Sequence, residues 1–254
     1  MAYVRPTFSI VMPTHNSERY VQETIESVWR QTLSSWELLI VDDASGDGTK
    51  ELLKGLVGSD VRIRVRCLPA NVGPAKARNM AISHATGRYI AFLDSDDIWR
   101  DDKLERQLGV FEQRGAVLAY SGYEKINESG DVKGRTVAVP ESVSYKELLG
   151  ATVIATCTAA YDTAKVGKVL MPDIRKRQDF GLWLKILRTS GELAWGLNEP
   201  LAYLRKRPGS VSSNKLAAAS YVWRVYRELE GLSVGVSMFY FLKYAYHATG
   251  KARI

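Results

Sequence analysis

The sequence predicts an α/β fold: a mixed, mainly parallel central sheet flanked by helices, with a C-terminal helical extension. Two observations lead there. Over the first hundred residues, short apolar runs alternate with segments of helical periodicity, the pattern of right-handed β-α-β units. Polar clusters follow three of those runs, two of them acidic, at the carboxyl strand ends where such sheets bind ligands.

The elements follow in order. Phe8-Ser9-Ile10-Val11-Met12, ended by Pro13, reads as a buried strand. Tyr20, Val21, Ile25, Val28 and Leu33 recur at helical spacing, with Ser17 as the expected N-cap. A second strand over 36–41 stops at the turn-forming cluster 42–48, and a helix is expected over 49–56. A third strand over 62–67 alternates, a helix follows over 75–85, and a fourth strand over 89–93 runs into Asp94. The second half is less regular. It reads as a helix over 104–114, strands over 116–120 and 157–161, a turn over 127–131, and a helix over 180–187. A short strand over 201–204 precedes a basic loop, an amphipathic helix over 216–229 and an apolar, aromatic segment over 233–246.

Composition narrows the class. With 254 residues the chain can bury a core without crosslinks. Two cysteines, Cys67 and Cys157, exclude a disulfide framework, suit a reducing compartment and read as buried thiols. The longest uncharged apolar runs, 148–161 and 231–242, fall short of the ~20 residues of a membrane span. No secretory leader is visible, so a cytoplasmic location is expected. The net charge of +7 lies entirely in residues 201–254, which hold nine Lys or Arg and only Glu228 and Glu230; residues 1–200 are neutral. Neutrality there argues against a broad nucleic-acid surface. The basic, aromatic tail suits an anionic membrane surface, with packing on the core or a dimer interface as the alternatives.

Chemistry concentrates at the strand ends. Asp42-Asp43 closes one strand and Asp94-Ser95-Asp96-Asp97 another. Two acidic clusters on one sheet edge repel unless a cation or donors join them, and hard oxygen ligands suit Mg2+ or Mn2+ completed by phosphate oxygens. Between them, Asn71-Val72-Gly73-Pro74-Ala75-Lys76-Ala77-Arg78-Asn79 pairs a turn and a helix start with basic side chains, features that suit an anion.

These segments, together with Ile10-Val11-Met12-Pro13-Thr14-His15-Asn16 and the run from Glu37 to Thr49, resemble the inverting, nucleotide-sugar-dependent glycosyltransferases of family 2, which have the Rossmann-like GT-A fold. The match covers about residues 7–205, most strongly up to Trp99. The resemblance implies a catalytic domain over 1–205, its nucleotide-binding part over about 1–100 and its acceptor part over 101–205, followed by a basic, aromatic tail over 206–254. It implies that Pro13, Thr14, His15 and Asn16 lie around the base of a donor nucleotide, where the family often has an aromatic ring in place of His15. Asp42 and Asp43 would contact base and ribose, and Arg78 would lie near the phosphates. Asp94 would meet ribose or sugar and share a divalent metal with Asp96, while Asp97 would orient or cap the next helix. Asp179 would be the base, in Gln178-Asp179 where the family commonly shows Glu-Asp. Arg205 and Arg207, with Lys206, Gly209 and Ser210, would form a mobile loop over the donor diphosphate.

The implied activity is transfer of a sugar, from a UDP-sugar by family frequency, to a hydroxyl of a surface-polysaccharide or lipid-linked glycan acceptor. Two other classes compete. A sugar-phosphate nucleotidyltransferase should show a glycine-rich basic signature after the first strand, and Pro13-Thr14-His15-Asn16 is not one. A non-catalytic nucleotide-sugar binding module is disfavoured by the intact carboxylates.

Overall fold

The computed structural model describes residues 5–56, 58–207 and 215–248. Strand β1 (Phe8–Thr14) lies at the centre of the nucleotide-side half, parallel to β2 (Trp36–Asp42) on one side and β4 (Tyr89–Phe92) on the other, with β3 (Ile63–Cys67) outside β2. Period-2 alternation divides these strands between two cores. Phe8, Ile10, Met12, Leu38 and Ile40 face one core, and Val11, Leu39, Val41, Ile90 and Phe92 face the other. Both faces are therefore covered, which is why the strands read as continuous apolar runs.

Helices α1 (Val21–Trp29), α2 (Thr49–Leu56) and α4 (Lys103–Arg114) cover the first face, and α3 (Pro74–His84), α5 (Tyr145–Gly150) and α7 (Gln178–Ser190) the second. The order across the sheet is β3-β2-β1-β4-β8-β6-β9-β5. Here β5 is Ile98–Trp99, β6 Leu118–Ile126, β8 Ala160–Asp162 and β9 Ala194–Arg205, while β7 (Ser142–Val143) pairs with β9 off that path. Strand β8 runs antiparallel to both β4 and β6, so the sheet is mixed, with a parallel block at β3-β2-β1-β4.

Several local expectations change. Ser17 receives the N–H groups of Tyr20 and Val21 on its backbone carbonyl, but its hydroxyl pairs with Ser95 Oγ at 2.8 Å instead of capping α1. The expected strand over 157–161 begins as a single helical turn, Thr156–Thr158, and becomes extended at Ala160. Strand β6 runs on to Ile126 because Tyr123–Ile126 pair with β9, a ladder with little apolar signal. Cys67 is exposed; only Cys157 is buried. Short β5, β7, α5 and α6 (Thr163–Val166) lack the length for a readable period.

The tail packs back. Helix α8 (Lys215–Arg224), a wide turn over Val225–Leu229 and α9 (Val234–Ala248) follow one another. Val222, Val225 and Tyr226 are fully buried with α5 and α7. The Tyr226 hydroxyl donates to the Leu149 carbonyl, and Tyr145 donates to Glu230 at 2.7 Å. Of the alternatives for the amphipathic segment, packing on the core is the one observed.

Candidate active site

The carboxyl ends of β1, β2 and β4 open on a cleft of about 510 Å³. Pro13, Thr14, His15, Asp43, Arg78, Asp94, Asp96, Asp179, Arg205 and Arg207 all line it, so the structure brings most of the expected site residues together from distant parts of the chain. Asn16 and Asp42 are not among its lining residues. The carboxylate of Asp42 accepts both the N–H and the hydroxyl of Ser45, and Asn16 Oδ1 accepts the Gly46 N–H at 2.8 Å. Both side chains shape the loop behind the wall. That loop holds Asn16 (φ 49°) and Ala44 (φ 57°) in left-handed conformations, an uncommon state for alanine that costs energy and clusters at sites.

Asp43 turns toward the cleft, but its oxygens already accept the N–H groups of Val72 (2.7 Å) and Gly73 (2.8 Å). It thereby fixes the turn that starts α3. Gly73 sits at φ 88°, where a Cβ is strained, and Pro74 follows at the first helical position. His15 Nδ1 lies 2.8 Å from the Asp43 carbonyl oxygen, and Asn71 Nδ2 donates to that same oxygen at 3.2 Å.

On α3, Arg78 reaches Asp94 through Nη2 while its side chain stays nine-tenths buried. Arg78 Nε and Thr14 Oγ1 are buried with no hydrogen-bond partner among the described residues. Each such orphan is costly, and its presence at a cleft wall marks polar capacity left for a ligand or water.

Asp96 lies 2.8 Å from Arg207 Nε. Burial, and then the charge of Asp94, push its carboxyl above the usual carboxylate range. Asp97 goes deeper. It does not cap the next helix, as expected, but accepts the Arg205 N–H at 2.9 Å and tethers the end of β9 to the acidic loop. Burial and the neighbouring Asp96 and Asp94 push it well up, against a hydrogen bond with Cys157. Beside Cys157, Lys103 is wholly buried, its Nζ donating to Gln107 at 2.6 Å and lying 4.0 Å from the Trp99 ring centroid. Burial takes its ammonium down to about 7.

Arg205 departs from the expectation of a mobile loop cation. Its guanidinium pairs with Glu23 at 2.6 Å, donates to the carbonyls of Asp96, Asn127 and Glu128, and lies 4.9 Å from the Tyr20 ring centroid. Every face is engaged, so it braces the cleft floor. Arg207, one-third exposed, is the cation presented to the site. Gly209 and Ser210 of that expected loop lie outside the described residues.

The opposite wall is the start of α7. Arg177 adopts φ 62°, turning the chain so that Lys176, Arg177, Gln178 and Asp179 all face the cleft. Asp179 is held at two points: Oδ2 accepts the Thr156 hydroxyl at 2.9 Å and Oδ1 accepts the Phe180 N–H at 2.8 Å. Sequence reasoning missed Thr156, Lys176 and Arg177. The run Arg175-Lys176-Arg177 just ahead of Asp179 was a usable signal; Thr156 had none.

With this geometry in view, residues 9–167 match the model of glycosyl transferase family 2. The chain belongs to glycosyl transferase family 2. A Bacillus subtilis glycosyltransferase, TuaG, assigned to teichuronic acid biosynthesis, is 41% identical over 97% of this chain and 98% of its own length. An Escherichia coli relative named as a UDP-Glc:α-D-GlcNAc-diphosphoundecaprenol β-1,3-glucosyltransferase, WfgD, is 38% identical over 85% of this chain and 84% of its own. The S. aureus TarS fragment in complex with UDP-GlcNAc superposes at a TM-score of 0.72, with 21% identity, covering 94% of this chain and 71% of that one. This glycosyltransferase therefore has the expected GT-A fold.

In this glycosyltransferase the cleft has two chemically distinct ends. Pro13, Thr14, His15, Asn71 and Arg78 make a wall of stacking and polar groups on one side, and a lone two-point-held carboxylate stands on the other. Asp94 and Asp96 line the same cleft, each already matched by a guanidinium. Among the described residues no three Asp, Glu, His or Cys side chains converge as a self-sufficient metal cage.

Proposed function

We propose that this glycosyltransferase moves a sugar from a UDP-sugar to a hydroxyl of a lipid-linked glycan, inverting the anomeric carbon. The observation that carries the reading is the placement of Asp179 in one cleft with Asp94, Asp96 and Arg78. The relative WfgD, named for joining glucose from UDP-Glc to a GlcNAc-diphosphoundecaprenol acceptor, supports the choice of substrates. Residues 1–205 would be the catalytic part and 206–254 the tail.

In this reading Pro13, Thr14, His15 and Asp43 bound the uridine, and Arg78 and Arg207 face the diphosphate. Asp179 takes the proton of the acceptor hydroxyl as its oxygen forms the new bond to the anomeric carbon. The bond from that carbon to the diphosphate oxygen breaks, and UDP leaves with the electron pair. Attack from the side opposite the leaving group inverts the centre. Thr156 holds the base in the acceptor's path.

The donor set fits a substrate-completed divalent cation. Asp96 and Asp94 offer hard oxygen ligands, Asp96 already draws the Arg207 cation, and Mg2+ commonly binds one or two carboxylates plus substrate phosphates. When bound, Mg2+ or Mn2+ would supply charge neutralisation for the departing diphosphate.

A panel of nucleotide sugars, incubated with Mg2+ or Mn2+ and a synthetic glycosyl diphosphate lipid and read as released nucleoside diphosphate, tests the proposal. A UDP-sugar should be turned over, giving a glycosidic product of opposite anomeric configuration by NMR. Release from no UDP-sugar, or a product of retained configuration, would overturn it.

A further inference from the structure

Of the lysine and arginine side chains that line the cleft, Arg78 pairs with Asp94, Arg207 with Asp96 and Arg205 with Glu23. Lys176 and Arg177 line it too, half-buried, and no ion pair is found for either among the described residues. Arg177 donates from Nη2 to the Tyr244 hydroxyl at 3.2 Å, a neutral partner that leaves its charge unmatched.

The two cations are held in place. The segment leading to them is pinned to α3: Asn79 accepts the Met171 N–H at 2.7 Å and donates to the Met171 carbonyl at 2.9 Å, and Lys76 pairs with Asp173 at 3.2 Å. Met171 and Ile174 are buried in the core. At the far end Arg177 takes φ 62°, a strained state for a residue with a side chain, of the kind that persists at ligand sites. Two like charges set side by side on a fixed backbone repel, and an anion that joins them removes that cost.

Chain position indicates which substrate brings the anion. Lys176 and Arg177 immediately precede Gln178 and the proposed base Asp179 at the entry to α7. In an in-line displacement the base and the leaving diphosphate stand on opposite sides of the anomeric carbon, so groups beside the base serve the acceptor. A hydroxyl and the anomeric phosphate of one sugar are only a ring's width apart, a span that neighbouring side chains of one turn can bridge. Charge selects the kind of anion. A diphosphate diester carries two negative charges, matching two unpaired cations, whereas a uronate ring carries one. Lysine as a point charge and arginine as a planar fork are both suited to phosphate oxygens.

We propose that Lys176 and Arg177 form a subsite for the diphosphate of the acceptor, so that the hydroxyl facing Asp179 belongs to the sugar joined directly to that diphosphate. The assignment rests on the glycosyl-transfer reading of the cleft and narrows its acceptor from any lipid-linked glycan to one whose reacting sugar is the phosphate-bearing one.

The test is titration calorimetry on the full chain saturated with UDP and Mg2+, so that the donor side is filled. The probe is octyl N-acetylglucosaminyl diphosphate. Octyl N-acetylglucosaminide is the same ligand without phosphates, and octyl glucuronide carries a single carboxylate instead. The parent should bind the diphosphate about tenfold or more tighter than either comparison ligand, and the advantage should shrink as salt screens the charges. Lys176→Gln and Arg177→Gln should each weaken diphosphate binding by about tenfold or more, the worth of one hydrogen bond to a charged group, and leave binding of the neutral glycoside as it is. Tyr244→Phe releases Arg177 from its hydroxyl partner without removing a charge and should keep most of the diphosphate affinity, which separates loss of the cation from loss of the contact with α9. UDP affinity, titrated without acceptor, should be the same in the parent and in Lys176→Gln. A parent that binds the diphosphate no better than the neutral glycoside overturns the proposal. So does a preference for the glucuronide, or a Lys176→Gln variant that loses affinity for UDP and not for the probe, which would assign the cation to the donor. Failure of the transfer reading shows separately, as release of UDP from no donor sugar, while these titrations still report on the subsite.

Discussion

The Thr156 hydroxyl donates to Asp179 Oδ2 at 2.9 Å, so the carboxylate at the start of α7 is aimed by a residue from a separate helical turn 23 positions earlier. The other oxygen is tied to the Phe180 N–H, which leaves the group little freedom to swing. A carboxylate held this way takes up one first-turn N–H of α7 and still offers a lone pair to the cleft.

The first prediction follows from the proposed base. Asp179→Asn keeps the shape and removes the proton acceptor, and turnover should fall by about 10²–10⁴-fold with UDP affinity nearly unchanged. Thr156→Val should cost less, about a factor of ten, in line with one lost hydrogen bond to a charged group. Steady-state kinetics should assign the Thr156 loss to kcat and leave the donor KM alone. A normal rate in Asp179→Asn would leave that residue as a structural tie between the first turn of α7 and Thr156.

Asp96→Ala should weaken UDP binding chiefly when Mg2+ or Mn2+ is present. Titration calorimetry with and without the cation checks this. The same variant releases Arg207 from its 2.8 Å ion pair, so metal-free UDP affinity should hold or rise slightly. Equal metal dependence in parent and variant would sink the assignment.

Burial takes Lys103 down to about 7, against an ordinary 10.5. Below about 7 both folded and unfolded chains carry the proton. Between about 7 and 10.5 the unfolded chain holds it and the folded chain does not, so stability rises with pH across that window. Relative to Lys103→Met, the parent should gain about 1–2 kcal/mol between pH of about 7 and about 9, read by urea unfolding. Parallel profiles would show that the Gln107 and Trp99 contacts keep the ammonium charged.

Gly73→Ala places a Cβ on a residue at φ 88°. The strain costs about 1–3 kcal/mol, a drop of a few degrees in Tm or more for a chain this long. Because Asp43 grips the Val72 and Gly73 N–H groups, the variant should also weaken UDP binding. Calorimetric scanning and nucleotide titration report the two effects separately; an unchanged Tm would show that the turn relaxes without cost.

Much was legible in order along the chain. Strands β1, β2 and β4 are long apolar runs because both faces are buried, and period alone finds such runs. Asp43, Arg78, Asp94 and Asp96 were visible because they stand at the ends of those strands or the start of α3, where position along the element dictates position in space. Short β5, β7, α5 and α6 were not, since two to six residues carry no period.

What the sequence by itself determined is local: the alternation of strands and helices, the acid-rich strand ends and the basic, aromatic character of the last fifth. Which side chains are free was decided only by tertiary packing. Arg205 and Arg207 are two residues apart, look alike and both line the cleft, yet one is spent on Glu23 and three carbonyls while the other is one-third exposed and paired with Asp96. Asp42 and Asp43 are adjacent, but only Asp43 lines it: Asp42 ends β2 with its carboxylate on Ser45, while Asp43 lies beyond the strand and grips the Val72 and Gly73 N–H groups. The tail divides the same way: Val222 and Tyr226 are buried against α5 and α7, while Val234, Met238 and Leu242 of α9 stay exposed among the described residues. The physical reason is common to all three: hydrogen bonding and burial depend on long-range neighbours, and a linear pattern fixes which side a residue leaves by without fixing what waits there.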